Sequence, residues 1–121
     1  MPGKKRVLIV DDEAEILSLV RTILTKNKFE VFEASSADSA LDLLEHESVD
    51  LVISDITMPG MSGIEFLDEV RQWDMDLPVI FVSGQDSSRQ RANAAAGVSA
   101  LIEKPFKKDI LLKTVHKVLS I

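Results

Sequence analysis

The sequence contains no cysteine, which excludes disulfides, thiolate catalysis and cysteine-type zinc sites. It has two histidines, His46 and His116, in separate helical patterns without metal-ligand spacing, so they read as surface or helix-end residues without chemistry. No run of about 18 apolar residues is present, and no membrane-spanning segment is expected. The cations Lys4, Lys5 and Arg6 precede an apolar stretch, Val7 to Val10, that is too short for a signal peptide and ends in acids. A cytoplasmic location is therefore the default expectation, and the three cations read as a solvated leader. No repeat, low-complexity segment or linker is visible. The formal net charge of −6 argues against a direct nucleic-acid partner, because that affinity comes largely from Lys and Arg neutralising phosphates.

What is present is a regular alternation. A length of 121 residues suits one packed core and is too short for two ordinary domains, so a single domain over residues 1–121 is expected. Short apolar runs at Val7 to Val10, Leu51 to Ile53, Val79 to Val82 and Ala100 to Ile102 read as strands, with a more alternating strand at Phe29 to Glu33. Helical periodicity separates them, as in Ile16, Leu17, Val20, Ile23 and Leu24, or Leu111, Leu112, Val115, Val118 and Leu119. Ser35 with Asp38, and Ser62 with Glu65, have capping-box spacing, and Gly97 is placed to end a helix over Ala92 to Ala96. The result is a (βα)5 α/β fold: a parallel five-stranded sheet, doubly wound, with helices on both faces. Strands that are apolar throughout should be central, and the alternating Phe29 to Glu33 strand should be an edge.

In an open parallel sheet, ligands bind at the carboxyl ends of the strands, near the point where the strand order reverses. Asp11 and Asp12 follow the first strand, Asp55 the third, Ser83 the fourth and Lys104 the fifth. Each alone has a bland reading: a helix-cap acid, a turn residue or a solvated lysine. Their joint placement at one sheet edge is what points to a site. If strands one and three are neighbours, all five side chains converge on one pocket. Three close carboxylates repel, and without compensation one of them takes up a proton. Three negative charges against the one positive charge of Lys104 leave room for a divalent cation, and carboxylate oxygens with positions open to water and phosphate describe Mg²⁺ rather than zinc. An ionised Asp55 beside such a cation could form an acyl phosphate, with metal and lysine neutralising the phosphoryl oxygens.

The strings Val-Leu-Ile-Val-Asp-Asp-Glu, Leu-Val-Ile-Ser-Asp-Ile-Thr-Met-Pro-Gly-Met-Ser-Gly, Val-Ile-Phe-Val-Ser-Gly and Glu-Lys-Pro-Phe closely resemble the receiver domains of two-component response regulators over essentially the whole chain. The resemblance implies the flavodoxin-like strand order 2-1-3-4-5. It makes Asp55 the phosphoacceptor, Asp12 the acid that binds Mg²⁺ directly, Asp11 the acid acting mainly through water, and Thr57 the donor of a backbone carbonyl ligand. Lys104 would pair with the phosphoryl group, and the Lys104 to Pro105 bond is usually cis in this family. Met58, Pro59, Gly60 and Gly63 match the family's loop into the third helix, which is also a tight turn. Ser83 would be the hydroxyl switch residue, with Gly84 easing loop movement and the alanine-rich fourth helix able to shift. The output surface would comprise the fourth helix, fifth strand and fifth helix. Expected partners are a sensor histidine kinase or phosphotransfer protein, or a small acyl phosphate as donor, and a downstream effector protein or domain. Thr57 and Gln85 occupy positions that tune phosphoryl lifetime in relatives.

One position departs from the family pattern. Three residues before the lysine, where many receivers carry an inward-turning Tyr or Phe, this chain has Leu101. An aromatic rotamer cannot be its relay, and a smaller movement of loop and helix is expected instead. Two other classes compete. A metal-dependent phosphotransferase or phosphatase using an aspartyl phosphate usually carries a second acid two residues after the nucleophile, where Thr57 stands. A flavodoxin-like nucleotide or flavin binder needs a phosphate cradle after strand one, where Asp11, Asp12 and Glu13 would repel one. A regulatory phosphoacceptor rather than an enzyme acting on external substrates is the expectation.

Overall fold

The computed structural model describes residues 3–84 and 97–121. Among the described residues the elements run in the order β1 (Arg6–Val10), α1 (Ala14–Lys26), β2 (Glu30–Ala34), α2 (Ala37–His46), β3 (Leu51–Asp55), α3 (Gly63–Trp73), β4 (Val79–Ser83), β5 (Ala100–Glu103) and α4 (Lys108–Leu119). The strands pair in parallel in the order β2-β1-β3-β4-β5, as the resemblance implies. The helix expected at Ala92 to Ala96, and Gln85, lie outside the described residues. Gly97, read as that helix's cap, has φ +86°.

The runs Val7 to Val10 of β1, Leu51 to Ile53 of β3 and Val79 to Val82 of β4 are apolar and buried because both faces of the sheet are covered there. Leu8, Val10, Val52, Val79 and Phe81 point to one side, where they pack with Ala37 and Ala40 of α2 and Phe66, Leu67 and Val70 of α3. Val7, Ile9, Leu51, Ile53, Ile80 and Val82 point to the other, against Leu17, Val20, Ile23 and Leu24 of α1 and Leu111 and Val115 of α4. Strand alternation and helical spacing thus converge on two cores. Phe66 is fully buried, a contribution on the order of 2–3 kcal/mol for one side chain.

Four expectations need correction. Arg6 is not part of a leader: it opens β1, its guanidinium pairs with Glu47 at 2.7 Å and Glu30 at 3.5 Å, and it stacks 4.7 Å from the Phe32 ring centre. A cation beside its own strand's neighbours has partners that a linear reading does not reveal. The second helix is capped by Ser36, whose Oγ accepts from the Ser39 amide at 3.1 Å, and not by Ser35. The Ser62 and Glu65 capping box is present in full. β5 is an edge strand although its run is apolar, because Leu101 reaches one core while Ala100 and Ile102 reach the other. Apolarity reports covered faces, not neighbours on both sides. β2 begins at Glu30, with Phe29 buried before it, and its alternation is broken by half-buried Phe32.

Candidate functional site

All five candidate groups stand at the carboxyl edge of the sheet. β1 ends at Val10 and delivers Asp11 and Asp12; β3 ends in Asp55; β4 ends in Ser83; β5 runs into Lys104. Because β1 and β3 are adjacent, carboxylate oxygens of Asp11, Asp12 and Asp55 lie within 4.8 Å of one another. Asp11 and Asp55 are buried and Asp12 is exposed. A cleft of about 270 Å³ opens here, lined by Asp12, Glu13, Asp55, Thr57, Gly84 and Lys104.

Lys104 closes the cluster from the far side. Its Nζ donates to Asp11 Oδ2 at 3.3 Å, Asp55 Oδ2 at 3.4 Å and Glu13 Oε1 at 3.5 Å. The Lys104 to Pro105 bond is cis. Backbone donors hold the acids in place: the Glu13 amide donates to Asp11 Oδ1 at 2.9 Å, and the Thr57 amide to Asp55 Oδ1 at 3.4 Å. Ser83 is buried and its hydroxyl donates to the Gly84 carbonyl at 2.9 Å.

Burial pushes the Asp11 carboxyl above the ordinary carboxylate range, with the Glu13 amide and Lys104 pulling it partly back. Asp55 is raised for the same reason, opposed by Lys104 and reinforced by Asp11. Burial alone would lower the Lys104 ammonium, but Asp55, Asp11 and Glu13 together outweigh it and hold it above the usual lysine value. The site is one of unresolved negative charge: one lysine spread over three carboxylates does not satisfy them.

Glu13 gains a place in the site that the sequence did not assign, and Gly63, already expected in the loop into α3, gains a specific contact. Glu13 is a partner of Lys104, and its only sequence signal is adjacency to Asp12. Gly63 starts α3 directly against the end of β3: a Cβ there would lie 2.2 Å from the Asp55 carbonyl oxygen, a contact no side chain tolerates. Its amide donates to the Ile56 carbonyl at 2.7 Å. Gly60, at φ +77°, supplies the left-handed turn between them.

The model of the response regulator receiver domain matches residues 7–116. The chain belongs to that family. It is 39% identical over 117 residues to the chemotaxis protein CheY of Bacillus subtilis, covering 95% of this chain and 98% of that protein. It is 32% identical over 118 residues to the phosphate regulon transcriptional regulatory protein PhoB of Escherichia coli, covering 95% of this chain and 52% of that protein. The chain thus spans about half the length of PhoB, and likewise of the heme response regulator HssR of Staphylococcus saprophyticus, 50% of which is covered. Among solved structures, a CheY-like receiver domain protein from Methanospirillum hungatei superposes with a TM-score of 0.91 at 33% identity, over 98% of this chain and 95% of that one. Receiver domains act as regulatory phosphoacceptor switches in two-component signalling, and this chain carries their fold. Among the described residues no helix is long and apolar enough to cross a membrane.

Proposed function

We propose that residues 1–121 form one receiver unit in which Asp55 accepts a phosphoryl group from a phosphohistidine, or from a small acyl phosphate. The observation that supports this reading best is the contact of Lys104 with both Asp55 and Asp11 inside an acidic cluster open to a cleft. A carboxylate oxygen of Asp55 forms the new bond to phosphorus; with a phosphohistidine donor the P–N bond breaks and the departing imidazole takes up a proton, and with an acyl phosphate the P–O bond breaks and a carboxylate leaves. Lys104 sits beside the attacking carboxylate and supplies a positive charge to the transferring oxygens. Ser83 exchanges its bond to the Gly84 carbonyl for one to a phosphoryl oxygen, and the segment between Ser83 and Leu101 rearranges to alter the output surface.

The donor set suits Mg²⁺: three carboxylates, no nitrogen or sulfur, two of the acids buried and short of positive charge. Asp11, Asp12, Asp55 and the Thr57 backbone carbonyl would hold the ion, which supplies charge neutralisation for phosphoryl transfer. Its partners on this reading are a histidine kinase or phosphotransfer protein upstream and an effector downstream. Mass spectrometry after mixing with acetyl phosphate tests the proposal. A single-phosphate adduct that requires Mg²⁺ and disappears in Asp55→Asn is expected; an adduct of equal yield in the variant would overturn it.

A further inference from the structure

At the sheet edge opposite the acidic cluster, the C-terminal ends of α2 and α3 frame a groove that no part of the phosphoacceptor reading uses. Its floor is apolar: Leu41 and Leu44 of α2, Val49 before β3, Leu77 before β4, and Trp73 of α3. Two adjoining hollows of about 410 and 360 Å³ share Leu44, Glu45 and Trp73, so the groove is continuous across both helices. Trp73 is 55% exposed, and Met75 beside it 73%. A tryptophan left this open forfeits much of the stabilisation that its burial would bring.

The rim is acidic. Glu45, Glu47, Glu69 and Asp74 line it beside His46, and among the described residues neither Lys nor Arg does. Glu47 is matched by Arg6 at 2.7 Å, and Asp74 Oδ1 is taken up by the amides of Asp76 and Leu77. Glu45 and Glu69 have no ion-pair partner among the described residues. They are exposed and sit on either side of the tryptophan's hollow, one on each helix.

We propose that this groove docks a basic amphipathic helix of a partner protein. The apolar floor would take the helix's spaced leucines, Glu45 and Glu69 would meet its flanking Lys or Arg residues, and the open face of Trp73 would receive one cation. The docked helix lies away from Asp55, on the edge where β3 and β4 begin, so binding leaves the acidic cleft accessible.

The chain's one tryptophan is in this groove, so its fluorescence reports occupancy. The probe is a synthetic peptide of about 14 residues with leucines at helical spacing and Lys/Arg flanks. A saturable blue shift of Trp73 emission at one-to-one stoichiometry is expected, absent with a peptide of the same composition in scrambled order. Glu45→Lys with Glu69→Lys should weaken binding at least about tenfold, whereas Glu15→Lys with Asp109→Lys, on α1 and α4, should change it little. Circular dichroism checks folding, and Glu45→Gln with Glu69→Gln, expected to weaken binding to a smaller degree, serves if the lysine pair fails to fold. Equal binding of the scrambled peptide, equal loss in both reversed pairs, or no emission change would each overturn the proposal; the first two would indicate only attraction to the chain's net negative charge.

Discussion

Replacing Asp55 by asparagine should stabilise the ion-free protein near neutral pH. Oxygens of Asp55 lie within 4.8 Å of those of Asp11 and Asp12 and 3.4 Å from Lys104 Nζ. At an effective dielectric near 20, each acid-acid repulsion at that limit is about 3.5 kcal/mol and the lysine attraction about 4.9 kcal/mol. Solvent weakens the share of exposed Asp12, so the charge terms come close to cancelling and the burial cost of the carboxylate is left over. Asparagine keeps the shape and the acceptor oxygen without that cost, and a gain on the order of 1–2 kcal/mol follows. The pH dependence has a definite sign. Burial raises the Asp55 carboxyl in the folded state, so the native protein binds that proton more tightly than the unfolded chain does. Its contribution is fully present below the ordinary carboxylate value and is lost as pH rises through the elevated one. The advantage of the variant should therefore be greatest at neutral pH and vanish in acid. Urea unfolding at low ionic strength with a chelator, at several pH values, is the assay. Added Mg²⁺ should narrow or reverse the gap, because an ion bound only by the native state stabilises it by mass action. A variant less stable than wild type at neutral pH without divalent ions would mean that the Asp55 carboxylate is not held at a net cost.

Other substitutions probe single contacts. Gly63→Ala places a Cβ 2.2 Å from the Asp55 carbonyl oxygen, and should cost about 1–3 kcal/mol in denaturant unfolding while slowing phosphorylation by acetyl phosphate, since the acceptor strand must move. Ser36→Ala should cost about 1 kcal/mol while Ser35→Ala stays within roughly 0.5 kcal/mol; the reverse order would mean that the cap is misassigned. Lys104→Met should leave the protein folded and cut phosphoryl incorporation by roughly 100-fold, measured as the initial rate of adduct formation; an unchanged rate would remove the lysine from the mechanism. Amide exchange with and without a phosphoryl mimic should change between Ser83 and Leu101, and unchanged protection there would count against a rearrangement without an aromatic relay.

The architecture was legible because strand apolarity and helix periodicity are local signals that both cores repeat. The site was legible for a topological reason: each of Asp11, Asp12, Asp55, Ser83 and Lys104 occupies or follows a strand's last residue, and a parallel sheet brings such positions to one edge. What escaped was set by contacts distant in sequence. Arg6 finds Glu47 forty-one residues away, which no local pattern announces, and Glu13 enters the site only because Lys104 arrives from β5. Ser35 and Ser36 are both competent caps, and the choice between them depends on where β2 releases the chain.

The most direct test of the central claim is to locate the phosphate. An aspartyl phosphate is reduced by borohydride to homoserine, which peptide mass spectrometry identifies by position. After treatment with acetyl phosphate and Mg²⁺, homoserine at position 55 is predicted; homoserine at position 11 or 12, or a stable phosphate on a hydroxyl residue, would contradict the account.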